Sequence, residues 1–162
     1  MEYKKYKSFD ELDLGKLVDL LETGFGKKLV DDYFSYAHPN YICIAEDGGK
    51  YHGAIVVEEF APGCMYLDKI VVAPESRGNG IKDDLWAVLN GDGAKVLWRA
   101  KPDNVMTQFY TGQMEGMQKV DGWVIYWKGL TPDEIAAGIK YAIAKKATMG
   151  DHNNSTSTSV AS

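Results

Sequence analysis

The sequence predicts an α/β domain in which one mixed sheet is covered by helices. Three observations carry that expectation. Short β-branched and aromatic runs alternate with amphipathic helical periods, the elements read ααβββαβαβα along the chain, and a glycine-bearing loop stands between a strand and a helix.

Taken in order, Asp13 or Ser8 is placed to cap a first helix, whose Leu14, Leu17, Val18, Leu21 and Phe25 recur at helical spacing before Gly24 and Gly26 end it. Lys28 to Ala37 reads as a second short helix with Leu29, Tyr33 and Phe34 on one side. Tyr41–Ala45 and Tyr51–Phe60 flank the turn Asp47-Gly48-Gly49 and predict a hairpin; Pro62-Gly63 then breaks the chain before a third strand over Met65–Ala73. A helix is expected over Ile81–Leu89, a short buried strand over Lys95–Ala100, and a helical stretch near Asn104–Tyr110. Thr111 to Gly122, with three glycines, reads as a loop. Trp123–Trp127 is the last strand. Thr131 and Glu134 form a capping box around Pro132, which starts a helix with Ile135, Ile139, Ala142 and Ile143 on its apolar face. Residues 1–149 are thus expected to fold as one domain, and 150–162, rich in Asn, Ser and Thr, as a disordered polar tail or linker.

A chain of 162 residues with 45% hydrophobic and 25% charged residues fits a single globular domain. Eighteen Lys and Arg against 23 Asp and Glu give a net charge of −5, which argues against a nucleic-acid partner while leaving room for a local cationic site. No apolar run approaches the roughly 18 residues of a membrane span, and Met1–Lys5 leads into polar sequence, so neither a membrane partner nor a signal peptide is expected. Cys43 and Cys64 form no CxxC pair and, with His38, His52 and His152, make a poor metal set. The thiols are expected to be free and buried, the histidines to be structural, and no metal is expected.

The loop Pro74–Gly80 enters a helix through Arg77-Gly78-Asn79-Gly80. Amides at a helix N-terminus favour a phosphate, and glycine lets the backbone approach an oxygen closely; a plain turn is the competing reading. Tyr66-Leu67-Asp68-Lys69-Ile70-Val71-Val72 leads into this loop and Leu97-Trp98-Arg99 follows the helix.

On these residues the chain from about 8 to 147 resembles the synthase domain of the vertebrate-like and fungal N-acetylglutamate synthase and kinase family, within the GNAT acetyltransferases. Arg77 and Gly80 match the family's pyrophosphate loop, and Lys82 stands where a small residue is usual. The run from Asn104 to Tyr110 lacks the proline usual after the asparagine. The resemblance implies a GNAT-like acyltransferase fold with a mixed, mostly antiparallel sheet. It implies acetyl-CoA as cosubstrate, held by Ile70, Val71 and Val72 along the pantetheine arm and by Arg77, Gly78, Asn79, Gly80, Ile81 and Lys82 at the pyrophosphate. It further implies L-glutamate as acceptor, bound by Lys69, Arg99 and Asn104, with Asn104 and Tyr110 as the catalytic pair and Tyr110 acting in proton transfer. An amino-acid kinase domain in the longer protein and a mitochondrial matrix location follow from the same resemblance, with the cytoplasm as the alternative.

The chemistry of those side chains agrees. Glutamate offers two carboxylates, which suit the fork of Arg99, the point charge of Lys69 and the amide of Asn104. Acetyl transfer needs oxyanion donors and an acid for the departing thiolate, a role open to a tyrosine hydroxyl. Each residue also has an ordinary alternative: Lys69 as an exposed edge lysine, Arg99 paired with Asp68 or Glu75 at the surface, Tyr110 as core packing, Asn104 as a helix cap. A second reading of the whole is a regulatory or assembly module of an acetylglutamate kinase, with little transferase chemistry. Pairing of Trp123–Trp127 with a second copy is a possible route to a homodimer.

Overall fold

The structure, a computed structural model, describes residues 1–91 and 95–150. Its elements are β1 (Glu2–Tyr6), α1 (Leu14–Phe25), β2 (Lys28–Leu29), α2 (Tyr33–Tyr36), β3 (Tyr41–Asp47), β4 (Lys50–Ala61), β5 (Cys64–Val72), α3 (Ile81–Gly91), β6 (Val96–Ala100), α4 (Thr107–Gln113), β7 (Gly116–Val120), β8 (Trp123–Lys128), α5 (Pro132–Ala144) and β9 (Met149–Gly150), with single 3-10 turns at Phe9–Glu11 and Pro74–Ser76. Seven strands form one sheet in the order β1-β3-β4-β5-β6-β8-β7, and β2 pairs with β9 separately. Only β5 and β6 run parallel; the other ladders of the large sheet are antiparallel. The expected mixed, mostly antiparallel sheet is therefore present.

Local chemistry explains the connections. Gly48 and Gly49, both at positive φ, make the two-residue turn between β3 and β4, a conformation that costs other residues strain. Pro62 and Gly63 turn β4 into β5, and Asp121 and Gly122, again at positive φ, turn β7 into β8. Asp13 caps α1 by accepting from the Lys16 amide, and Gly26 closes it in the left-handed conformation. Thr131 and Glu134 complete the capping box of α5, with Pro132 at its start.

Five expectations are corrected. The chain opens with a strand: β1, with Glu2, Lys4 and Lys5 exposed, lies along β3 at the sheet edge. Lys28–Ala37 is not one helix; Lys28 and Leu29 pair with Gly150 and Met149, and only Tyr33–Tyr36 is helical. The stretch read as a loop from Thr111 contains the end of α4 and the edge strand β7. Trp123–Trp127 lies between β6 and β7, so both of its ladder edges are used and it cannot pair with a second copy. Gly150, assigned to the tail, belongs to β9; the remainder of the tail, His152 included, lies outside the described residues.

Alternation along the strands sorts the core onto two faces. Ile55, Val57 and Trp98 pack with Ile81, Leu85 and Trp86 of α3 and Tyr110 of α4. Ala54, Val56 and Val71 face the other way, against Leu17, Leu21 and Phe25 of α1. Leu97 and Ile125 share that second face beneath Ala142 of α5. Cys43 and Cys64 are buried free thiols. The molecule thus carries α3 and α4 on one face and α1 and α5 on the other, with the site between them.

Candidate active site

The site begins with an irregularity in β5. Val56 pairs with Lys69 and Val57 with Leu67, so Asp68 is an extra residue, a β-bulge. On the other edge, β5 pairs with β6 only from Met65 to Leu67, although β5 continues to Val72. Beyond Leu67 the two parallel strands part, and the main chain of residues 68–72 has no β6 partner on that side. The gap places a row of peptide groups where a ligand can meet them.

On the α3 face the gap continues into a cavity of about 470 Å³ lined by Ile70, Val71, Val72, Arg77, Gly78, Gly80, Ile81 and Lys82, together with Ser76, Asp83, Val105 and Met106. Every residue expected to hold the coenzyme lines it except Asn79. Gly80 accepts from the Asp84 amide, so α3 opens on Ile81, whose first amides have no carbonyl above them. Gly78 and Gly80 sit at φ +87° and +80°, with open space where a Cβ would stand. Arg77 reaches back to the Gly24 carbonyl at 2.8 Å and fixes the loop to the end of α1. Lys82 does not close the cavity; its ammonium lies 4.3 Å from the centre of the Phe109 ring. Asp84 is held away by the Tyr3 hydroxyl at 2.6 Å. A pyrophosphate and a pantetheine arm fit this lining.

Tyr110 belongs to the same face. It is fully buried among Trp86, Trp98, Phe109 and Tyr126, with ring centres 5.4–6.2 Å away. Burial first, then Tyr126 and Tyr66, raises its hydroxyl pKa well above the ordinary value, so it stays protonated. Core packing and chemistry are therefore not exclusive for this residue. Asn104 is buried, and its Oδ1 accepts from the Met106 amide at 2.7 Å while its carbonyl accepts from Thr107. It thus shapes the turn that delivers Met106 to the cavity and Tyr110 to the core; Met106, not Asn104, is the residue at the N-cap of α4.

Lys69 and Arg99 lie on the opposite face, and both are buried rather than exposed. The Lys69 ammonium donates to Thr148 Oγ1 and to Asp68 Oδ2 at 3.3 Å, and stands 5.1 Å from the Tyr33 ring centre. Arg99 does not make the surface pair expected with Asp68 or Glu75. Its guanidinium donates to the carbonyls of Ala142, Lys145 and Lys146 at 2.7–2.9 Å and stacks on Trp123 at 3.8 Å; Glu75 pairs with Lys50. Asp68 accepts from Tyr33 at 2.6 Å and has Lys145 3.9 Å from its other oxygen. Burial pushes the Asp68 carboxyl up, but Lys69, then Lys145 and the Tyr33 hydroxyl, pull it further down, so it is ionised. Glu58, also buried, accepts from Tyr141 and from Lys145 at 2.7 Å. The sequence reading missed Tyr33, Glu58, Lys145 and Thr148; no local motif marks them, because each enters the site from a separate element.

The arrangement offers a coenzyme-shaped groove and a protonated phenol on one face, a gap through the sheet, and a cationic cluster on the other. Comparisons with known proteins assign the family. The family model described as N-acetyltransferase of N-acetylglutamate synthase matches residues 4–146. An acetylglutamate kinase of Xanthomonas campestris is 32% identical over 145 residues, covering 87% of this chain and 33% of its own length. The human mitochondrial N-acetylglutamate synthase is 35% identical over 127 residues, covering 78% and 24%. This chain therefore spans about a quarter to a third of these relatives. Among solved structures, N-acetylglutamate synthase from Neisseria gonorrhoeae, complexed with coenzyme A and N-acetyl-glutamate, is 13% identical with a TM-score of 0.56, covering 80% of this chain and 36% of its own. The fold is that of the GNAT acetyltransferases.

Proposed function

We propose that this chain, which belongs to the family of N-acetyltransferase domains of N-acetylglutamate synthase, transfers the acetyl group of acetyl-CoA to the α-amine of L-glutamate. The observation that carries the reading is the gap between β5 and β6, with the glycine-loop cavity at its mouth on the α3 face and the buried cations Lys69 and Arg99 on the other.

The pyrophosphate would lie on the amides of Gly78 to Lys82, and the pantetheine arm would pair with the main chain of Ile70 to Val72. The same amides would polarise the acetyl carbonyl. Lys69 and Arg99 would take the carboxylates of glutamate, with Asn104 fixing the chain between the two substrates. The neutral amine attacks the thioester carbon, a C–N bond forms, and the tetrahedral oxyanion collapses with loss of the C–S bond. Tyr110 gives its proton to the departing thiolate and the new amide nitrogen loses one to water. Human and fungal relatives named as mitochondrial support the matrix as the compartment, and the bacterial relatives a cytoplasmic one. The length of the relatives, and the kinase named among them, support an amino-acid kinase domain as the partner in the longer protein.

Calorimetry with acetyl-CoA, followed by thiol release on adding L-glutamate, tests the reading. Glutamate-dependent release is expected, with kcat lowered by about 10²-fold in Tyr110→Phe and acetyl-CoA affinity unchanged. Release driven only by another amine would remove glutamate as substrate. A folded protein that fails to bind acetyl-CoA would favour a regulatory module beside an acetylglutamate kinase.

A further inference from the structure

We infer that residues 145–150 form a gate over the acceptor site, a strap whose oxygens occupy the cationic donors until a dicarboxylate displaces them. The inference rests on the proposed acceptor and adds how that acceptor gains entry.

The strap leaves the end of α5 and crosses the face of the gap that carries Lys69 and Arg99. Among the described residues, its hydrogen bonds with those two side chains are made through oxygen. The Arg99 guanidinium holds the carbonyls of Lys145 and Lys146, besides that of Ala142 in α5, and the Lys69 ammonium holds the hydroxyl of Thr148. The strap thus offers these donors neutral acceptors, which are weaker partners for a cation than a carboxylate is; Lys69 also holds the Asp68 carboxylate, which lies outside the strap. An arriving dianion therefore has a free-energy advantage over the strap at the same donors.

The attachments of the strap are individually modest. Lys146 pairs with Asp32 at 3.1 Å where both side chains are more than half exposed, a class of pair that contributes little. Thr148 accepts from the Val30 amide at 2.8 Å, and the ladder between β9 and β2 is two residues long. Lys145, by contrast, is tied to buried Glu58 and Asp68. That contact makes a hinge at the end of α5, leaving Lys146 to Gly150 as the part that moves. Opening frees the Arg99 donor held by Lys146 and the Lys69 donor held by Thr148, while Ala142 and Lys145 keep their bonds to Arg99, so acceptor binding and strap release are one equilibrium.

The strand register supplies a lock. Because Val30 donates to the Thr148 carbonyl directly opposite, the next pair, Leu29 and Met149, is the close, non-hydrogen-bonded type. Leu29→Cys with Met149→Cys places two thiols within disulfide reach. N-acetylglutamate formation, followed by mass spectrometry, and acetyl-CoA affinity are measured in the oxidised and reduced double variant. Oxidation is expected to raise KM for L-glutamate at least ten-fold while acetyl-CoA affinity holds, and reduction to reverse it. A complementary variant, Thr148→Val, releases one hydrogen bond of the strap and is expected to lower that KM roughly five-fold. Equal turnover of the locked and reduced forms overturns the gate alone. A higher KM in Thr148→Val makes the hydroxyl a substrate ligand and also overturns it. A reduced variant and parent chain that both bind acetyl-CoA but acetylate no glutamate overturn the acceptor assignment, and the gate with it.

Discussion

At the residue scale the decisive group is Asp68. A bulge puts it beside Lys69 on one strand, where alternation would send the two side chains to opposite faces. Its carboxylate is buried and ionised, accepting from Tyr33 and Lys69 with Lys145 nearby. Because its pKa in the folded protein lies below the unfolded value, its stabilising contribution is complete above the unfolded pKa, near 4, and is lost as the pH falls through the folded one. Asp68→Asn is expected to cost about 3–5 kcal/mol at pH 7, because Lys69 loses its buried counter-charge, whereas Lys145 keeps Glu58. Denaturant unfolding at pH 7 and at pH 3 checks the sign: the difference from the parent chain should shrink at the lower pH, and an unchanged difference would contradict the assignment. Tyr110 gives a second pH signature. Burial keeps its hydroxyl protonated well past the ordinary phenol range, so kcat should show no alkaline limb belonging to it below about pH 10. A limb in that range that vanishes in Tyr110→Phe would remove it as the acid.

At the scale of elements, the site depends on how closely α1 lies on β5. A Cβ on Gly24 would come within 2.1 Å of Val71 Cγ2, and the Gly24 carbonyl also holds Arg77 of the glycine loop. Alanine would gain up to about 1 kcal/mol of helix propensity, but relieving the overlap means moving α1 or Val71, at about 1–3 kcal/mol. Gly24→Ala is therefore expected to be destabilised in denaturant titration and to bind acetyl-CoA more weakly, since Val71 lines the cavity; a more stable variant would show that the approach is looser than the distance implies. Elements of this kind were legible to different degrees. The caps at Asp13, Gly26 and Thr131, the turn at Gly48 and Gly49 and the loop at Gly78 and Gly80 are local chemistry, so the sequence announces them. Strands β1 and β7 are edge strands with mostly exposed side chains, which blurs the two-residue period. Asp121-Gly122 was the available signal for β7, as a two-residue hairpin turn. The pairing of Lys28 and Leu29 with β9 joins distant segments and left no local trace. The same holds for the bulge, for Thr148 on Lys69, and for the carbonyls that engage Arg99.

For the whole molecule, the separation of the two faces decides the kinetic order. The coenzyme cavity lies with α3 and α4, whereas Lys69 and Arg99 lie with α1 and α5, and the parting of β5 and β6 connects them through the sheet. Two substrates that enter from opposite faces do not obstruct each other, and both must be present before the amine meets the thioester. Cys43 and Cys64 are buried, and neither lines the cavity, so neither thiol is placed to take the acetyl group first. Initial rates over a grid of acetyl-CoA and L-glutamate concentrations should therefore give intersecting reciprocal lines, the pattern of a ternary complex. Coenzyme A should compete with acetyl-CoA and not with glutamate. Parallel lines would instead require an acetylated protein as intermediate, and mass spectrometry after incubation with acetyl-CoA alone would then find the added acetyl group. Under direct attack by the acceptor amine, that incubation leaves the mass of the chain unchanged, because no acetylated side chain lies on the route.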